Sequence, residues 1–258
     1  MVKLLGLGAL AVLLLGGCRP GTVSIKVRGG PSLNGLFAEL SQAFEAENPS
    51  LRVDGDFTCP PCILLQPGNR PPMFDLFVAL GDQEIEFLQA QPNGLAFGEQ
   101  RTLGHTSLVL VTSARTDPPI RTLADLHREG LGQIGLGDPE QTSVGYYARK
   151  ALRKAGLWGE LKPHFLYARS GCELLKWLAL GRDLDAAFVY GICTREVGGG
   201  LRSVVDLPEG STEPIPVILT AVQGSRRPAE ARRFMDFCAS PAVADILRRY
   251  LVEPVKQP

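Results

Sequence analysis

The 258 residues carry no excess charge: 27 lysines and arginines stand against 27 aspartates and glutamates, for a formal net charge of zero. A nucleic-acid binder neutralises phosphates with a basic face, so this balance argues against nucleic acid as a partner. Long apolar runs are missing beyond the N-terminus, where no stretch approaches the eighteen or so residues of a membrane-spanning helix. Histidine is scarce, and His105, His127 and His164 lie far apart, outside any H-E-x-x-H spacing. There is no Gly-x-Ser-x-Gly elbow, no Walker loop and no Gly-x-Gly-x-x-Gly after a strand. The chain therefore reads as a non-enzyme, with no catalytic residue and no cofactor assigned. Internal repeats, low-complexity tracts and charge blocks are absent too, which excludes solenoids and disordered tails. What remains, 45% hydrophobic and 21% charged residues, is an ordinary globular composition of α/β size. The length suggests two lobes or one large domain.

The N-terminus sets the compartment. Lys3 gives a short positive start, and Leu4 to Leu15 is an uncharged apolar run of twelve residues. That is too short to span a bilayer as a helix but suits the apolar region of a secretory signal. The run ends in Leu15-Gly16-Gly17-Cys18, which resembles a bacterial lipoprotein signal. Residues 1–17 are then a signal peptide and Cys18 the lipidation site, the alternative being a plain signal with an incidental cysteine. The expected mature chain is extracytoplasmic, periplasmic or at the cell surface, held to a membrane by lipid and otherwise soluble. Disulfides are chemically allowed there.

After the signal, strand and helix patterns alternate. Val23, Ile25 and Val27 alternate as in a strand, and Leu33, Leu36, Phe37, Leu40 and Phe44 recur at helical spacing. Strands are expected from Leu51 to Phe57, Phe74 to Leu80, Ser107 to Thr112, Ile134 to Gly137, Phe165 to Leu166, Ala186 to Tyr190 and Ile215 to Val222. Helices are expected from Leu123, around Val144 to Ala155, from Ser170, around Phe234 and Phe237, and around Ile246 and Leu247. This order argues for mostly parallel sheets covered by helices.

The strand-to-helix joints carry the first functional signal. Ser32 opens the first helix, Thr142 and Ser143 open a second, and Ser170 opens a third with Glu173 at capping-box spacing. Each joint offers backbone N–H groups at a positive helix end beside a hydroxyl. In open α/β sheets such joints gather at the carboxyl ends of strands, where ligands bind. Converging joints would hold a small anion without any lysine. Serine and threonine are also simply preferred helix caps, so the pattern alone leaves both readings open. Asp138 and Glu140 read as turn-shaping residues. Arg28 and Arg169 flank two joints, as added charge or as solvated rim residues.

Gly137-Asp138-Pro139-Glu140, followed by Gly145-Tyr146-Tyr147-Ala148-Arg149-Lys150-Ala151-Leu152, resembles a segment of the molybdate-binding proteins of ABC importers. Val189-Tyr190-Gly191 and Pro31-Ser32-Leu33 are similar to two further pieces of that family, and the likeness runs from about Val23 to Tyr250. The resemblance implies a type II periplasmic-binding-protein fold, two α/β lobes joined by two hinge strands that close over one oxyanion such as molybdate or tungstate. It places residues 18–106 and 217–258 in one lobe and 107–216 in the other. The crossings then fall near Gly104 to Ser107 and Ile215 to Val217. It also implies neutral ligand donors: the hydroxyl of Ser32, a loop after the third strand, the backbone N–H groups of Val144 and Cys172, and the hydroxyl of Tyr190. The partners implied are an oxyanion and a membrane permease, with the binding protein itself a monomer.

The sequence departs from that family at the loop. Where a serine-rich loop is expected stands Thr58-Cys59-Pro60-Pro61-Cys62, whose two prolines remove two N–H donors. Cys59 and Cys62 thus fall at the expected ligand site, joined by Cys172 and Cys193, while Cys238 sits on an apolar helix face. Three readings of the four cysteines stay open. They are disulfides (Cys59–Cys62 and Cys172–Cys193), a thiolate site for a soft metal or metalloid ion, or a thiol–disulfide oxidoreductase site.

Overall fold

The computed structural model describes residues 22–58, 73–92, 94–180, 184–196 and 201–255. Strand β1 (Val23–Gly29) buries Ile25 and Val27 completely on one face, the alternation its sequence dictates. A short 3-10 turn (Pro31–Leu33) leads into helix α1 (Asn34–Glu47), which buries Leu36, Phe37, Leu40 and Phe44 along one stripe. Each such side chain contributes roughly 1.5–3 kcal/mol when removed from water. Strands β2 (Leu51–Asp56) and β3 (Leu76–Leu80) run parallel to β1 on either side of it. All of β3 is buried because both its faces are covered. Leu76, Val78 and Leu80 join the main core, whereas Phe77 and Ala79 join a smaller cluster with Ile85 and Leu88 of helix α2 (Asp82–Gln89).

The chain then leaves and re-enters this sheet through neighbouring strands. Strand β4 (Phe97–Thr106) pairs with β10 (Ile215–Val222) and with β11 (Glu253–Pro254), both antiparallel. The six strands stand in the order β11-β4-β10-β3-β1-β2. A second sheet, in the order β7-β6-β8-β5-β9, uses β5 (Leu108–Ser113), β6 (Gln133–Gly137), β7 (Phe165–Ala168), β8 (Leu184–Tyr190) and β9 (Leu201–Asp206). Helices α3 (Ser143–Lys154) and α5 (Gly171–Ala179) pack on β6 and β8, and the short α4 (Trp158–Leu161) follows α3. Helices α6 (Pro228–Cys238) and α7 (Ala244–Arg249) return to the first sheet, where Phe234 meets Phe44 edge-on with ring centroids 5.0 Å apart. Cys238 is fully buried in that core, and burial pushes its thiol pKa up.

Two expectations need correction. The sheets are mixed: β10 runs antiparallel to β3 and β4, and β5 runs antiparallel to β8 and β9. The reason is topological, since the strand that carries the chain out of the first sheet and the one that brings it back lie side by side in opposite directions. The segment from Leu123 is a single 3-10 turn (Leu123–His127) instead of a helix. Thr122 and Asp125 close a capping box there, but only Leu123 and Leu126 find apolar cover. Among the described residues, no helix is long and apolar enough to cross a membrane.

Candidate ligand site between the two sheets

The best-defined joint links β6 to α3. The Asp138 carboxylate accepts the Glu140 backbone N–H at 2.9 Å and the Gln141 amide at 2.8 Å, while its carbonyl accepts the Thr142 N–H at 2.8 Å. Asp138 is thus a turn builder, and Glu140 pairs with Arg149 on the surface. The Thr142 hydroxyl caps α3 by accepting the Gly145 N–H at 3.1 Å. Two glycines allow this close approach. A Cβ on Gly145 would lie 2.2 Å from the Gly137 carbonyl oxygen, and one on Gly137 would lie 2.3 Å from the Thr142 hydroxyl. The joint from β7 to α5 is capped in the same style. Ser170 accepts the Glu173 N–H at 3.2 Å, and the Glu173 carboxylate accepts the Arg169 N–H at 2.9 Å.

The corresponding joint from β3 to α2 has no serine or threonine. Gly81 turns the chain with φ +91°, and its N–H reaches the Pro216 carbonyl at 2.9 Å. A side chain at Gly81 would run into the Tyr147 hydroxyl, 2.4 Å from the ideal Cβ. This turn aims Gln83 and Glu84 at the ends of α3 and β8.

These joints meet around one cavity of about 150 Å3. A drug-sized ligand pocket runs from about 300 to 1,000 Å3, so this space suits a small ion or a few waters. Ser32, Gln83 and Glu84 line it from the first sheet's side, and Ser143, Val144 and Tyr190 line it from the second's. Tyr190 is 2% exposed, and its hydroxyl donates to the Ser143 oxygen at 2.7 Å. Ser143 in turn donates to the Glu84 carboxyl, whose other oxygen accepts the Leu80 N–H at 3.1 Å. A second bond crosses beside it, from the Tyr147 hydroxyl to the Gln83 side-chain oxygen at 2.8 Å. Burial raises the Glu84 pKa from 4.5 to about 7, against the opposing pull of the Ser143 and Leu80 hydrogen bonds. Burial and the Glu84 charge together push the Tyr190 hydroxyl well above its ordinary value, so it stays a neutral donor.

The cysteines divide. The Cys172 thiol, in the first turn of α5, donates to the Ser32 hydroxyl at 3.9 Å. Cys193, buried just after β8, is hydrogen-bonded to Cys172, and that bond together with burial holds its pKa well above the thiol range. The two are not joined by a disulfide in this structure, so the pairing expected as one alternative is not formed here. Neither lines the cavity itself; they buttress Ser32 from behind. Cys59, Cys62 and Cys18 lie outside the described residues. Among the described residues no group of three or more histidine, cysteine, aspartate or glutamate side chains is placed to hold a metal ion. Arg28 is taken up by Asp56 at 2.6 Å, whereas Arg169 reaches the cavity rim.

Sequence reasoning passed over Gln83, Glu84 and Tyr147. The available signal was a strand of continuous burial running into Gly81 and a short amphipathic turn, which marks a joint even without a hydroxyl cap.

A cavity lined from two α/β sheets, at the ends of parallel strands, with hydroxyls and helix starts facing inward, defines a small-ligand binding protein. The chain belongs to the bacterial extracellular solute-binding protein family, whose model matches residues 25–250. It is 21% identical over 252 residues to the putative ABC transporter substrate-binding lipoprotein YvgL of Bacillus subtilis (93% of each chain). To the molybdate-binding protein ModA of Escherichia coli it is 24% identical over 229 residues (88% of this chain, 87% of that one). Among solved structures, the periplasmic molybdate-binding protein of Azotobacter vinelandii superposes with a TM-score of 0.73 at 20% identity, covering 90% of this chain and all of that one. The fold is accordingly that of the periplasmic binding proteins of the molybdate-binding type.

Proposed function

We propose that this chain is the extracytoplasmic substrate-binding component of an ABC importer and captures one small tetrahedral oxyanion, of the molybdate or tungstate kind, between its two sheets. The lobes are taken as residues 18–106 with 217–258, and 107–216, closing by a hinge where β4 passes into β5 and where β10 begins. Cys18 carries the lipid anchor, the binding protein acts as a monomer, and release is to a membrane permease. The observation that carries this reading is the cavity itself. At about 150 Å3 it has the size of a small ion, and it brings Ser32, Ser143 and Tyr190 hydroxyls together with the first turns of α3 and α5. Val144 lines the cavity and Cys172 follows Gly171, which does, so both backbone N–H groups lie in helix turns where the dipole favours negative charge. Neutral donors satisfy an anion without binding it too tightly to release.

A soft-metal reading finds support in one feature, the adjacent Cys172 and Cys193 thiols, and a thiol oxidoreductase would use the same pair. The raised Cys193 pKa disfavours the thiolate that either chemistry needs. Calorimetric titration of the soluble chain with molybdate, sulfate, zinc and copper(I), with and without reductant, separates the three. The oxyanion reading expects one molybdate per chain in either redox state. Absence of any oxyanion heat, with stoichiometric thiol-dependent metal binding or disulfide-reductase turnover in its place, would refute it.

A further inference from the structure

A site built from neutral donors has no need of an acid, yet one stands at its centre. The Glu84 carboxyl accepts from Ser143, and Ser143 accepts from Tyr190 at 2.7 Å. Tyr190 is thus spent on Ser143 and Ser143 on a carboxyl of the chain itself, so an oxyanion that accepts from Ser143 would have to take the place that Glu84 holds. An anion oxygen accepting from Ser143 would stand beside that carboxyl, which lines the same cavity. Two negatively charged oxygens so close cannot both stay ionised; one proton must remain between them. The other ionisable groups do not relieve the conflict. Asp82 shares α2 with Glu84, and Glu140 of the β6–α3 joint is held by Arg149. Tyr147 of α3, Tyr190 of β8 and Cys193 behind it are neutral hydroxyl or thiol groups whose ionisation is pushed upward. Arg169 is a permanent charge at the rim.

We propose that Glu84 makes capture proton-linked: the cleft takes a tetrahedral oxyanion together with one proton, held between the Glu84 carboxyl and the nearest ligand oxygen. This rests on the oxyanion reading above and sharpens its substrate class. A fully ionised ion such as molybdate or sulfate must draw the proton from solvent onto Glu84. An ion of the phosphate class brings its own O–H, donates it to the ionised Glu84, and is favoured at neutral pH and above.

The test is titration calorimetry between pH 7.5 and 9.5 with molybdate, sulfate and phosphate, on the wild-type chain and on Glu84→Gln, in two buffers of different ionisation enthalpy. For the wild type, the molybdate and sulfate dissociation constants are expected to rise about tenfold per pH unit, with one proton taken up per ion. The phosphate constant stays level. In Glu84→Gln the molybdate and sulfate slopes vanish, their affinity at pH 8.5 rises at least tenfold, and the advantage of phosphate is lost. Wild-type molybdate binding that is level with pH, without proton uptake and unchanged by Glu84→Gln, would overturn the proton linkage and leave the oxyanion reading standing. Silence of all three ions with both proteins would instead overturn the oxyanion reading, and this inference with it.

Discussion

The two walls of the cavity are built on opposite plans. The wall on the second sheet presents donors, Tyr190 and Ser143, held by a glycine-packed joint and a threonine cap, with Tyr147 bonding across to Gln83 beside the cavity. The facing wall, Ser32 apart, presents acceptors: the Glu84 carboxyl and the Gln83 side-chain oxygen, carried on a short helix behind a positive-φ glycine. Donors meet acceptors across the cavity, so the two sheets are tied together at its lining and beside it. On the proposed reading, a ligand accepting from Ser143 competes with Glu84 for that hydroxyl, and Tyr190 is reached through Ser143.

Breaking the donor wall at its foundation has the largest expected effect. Gly145→Ala forces a methyl to within 2.2 Å of the Gly137 carbonyl oxygen, a backbone atom that cannot swing aside. A loss of about 2–4 kcal/mol is expected in urea unfolding, at or above the usual range for overpacking. Gly159→Ala, a helical glycine whose Cβ would meet open space, serves as the control and is expected to be neutral or slightly stabilising.

The acceptor wall is read through pH. The folded-state pKa of Glu84 is raised from 4.5 to about 7, so the folded chain holds a proton that the unfolded chain releases between those values. Stability from this group is full below pH 4.5 and is lost as pH rises to about 7, a decline of roughly 3 kcal/mol. Glu84→Gln removes that decline, which urea unfolding at pH 4.5 and 7.5 measures directly.

Removing one donor tests the wall more finely. Tyr190→Phe deletes the hydroxyl that donates to Ser143 and is expected to weaken oxyanion affinity about tenfold to a hundredfold, a hydrogen bond to charge being worth about 1.5–3 kcal/mol. The smallest effect is expected at the second crossing. Tyr147→Phe removes the bond to Gln83 and should cost about 1 kcal/mol of stability, with little change in ligand affinity.

The same contrast explains what could be read from the sequence. The donor wall was legible because its parts are local: Thr142 and Ser170 cap the helices that follow them, and the Gly137-Asp138-Pro139-Glu140 turn carries its own hydrogen bonds. Strands β1, β3, β5, β6 and β8 were legible from continuous or alternating apolar residues. Strand β4 was not, because Phe97–Thr106 mixes glycine and charge and gains its place by pairing with β10 and β11, both more than a hundred residues later. Glu84 was invisible for a related reason. Nothing within a few residues marks it, and its partner Ser143 lies 59 positions away. The antiparallel return of β10 likewise depends on where the chain re-enters a sheet, which no local pattern encodes.

The most direct measurement is a crystal structure of the chain with bound molybdate, located by anomalous scattering at the molybdenum edge. The account predicts a single peak in the cavity, with oxygens within hydrogen-bond distance of Ser143 and Tyr190 and with Glu84 either against a ligand oxygen or displaced from Ser143. A peak at the Cys172 and Cys193 thiols, or no peak between the sheets in protein that binds the ion in solution, would contradict it.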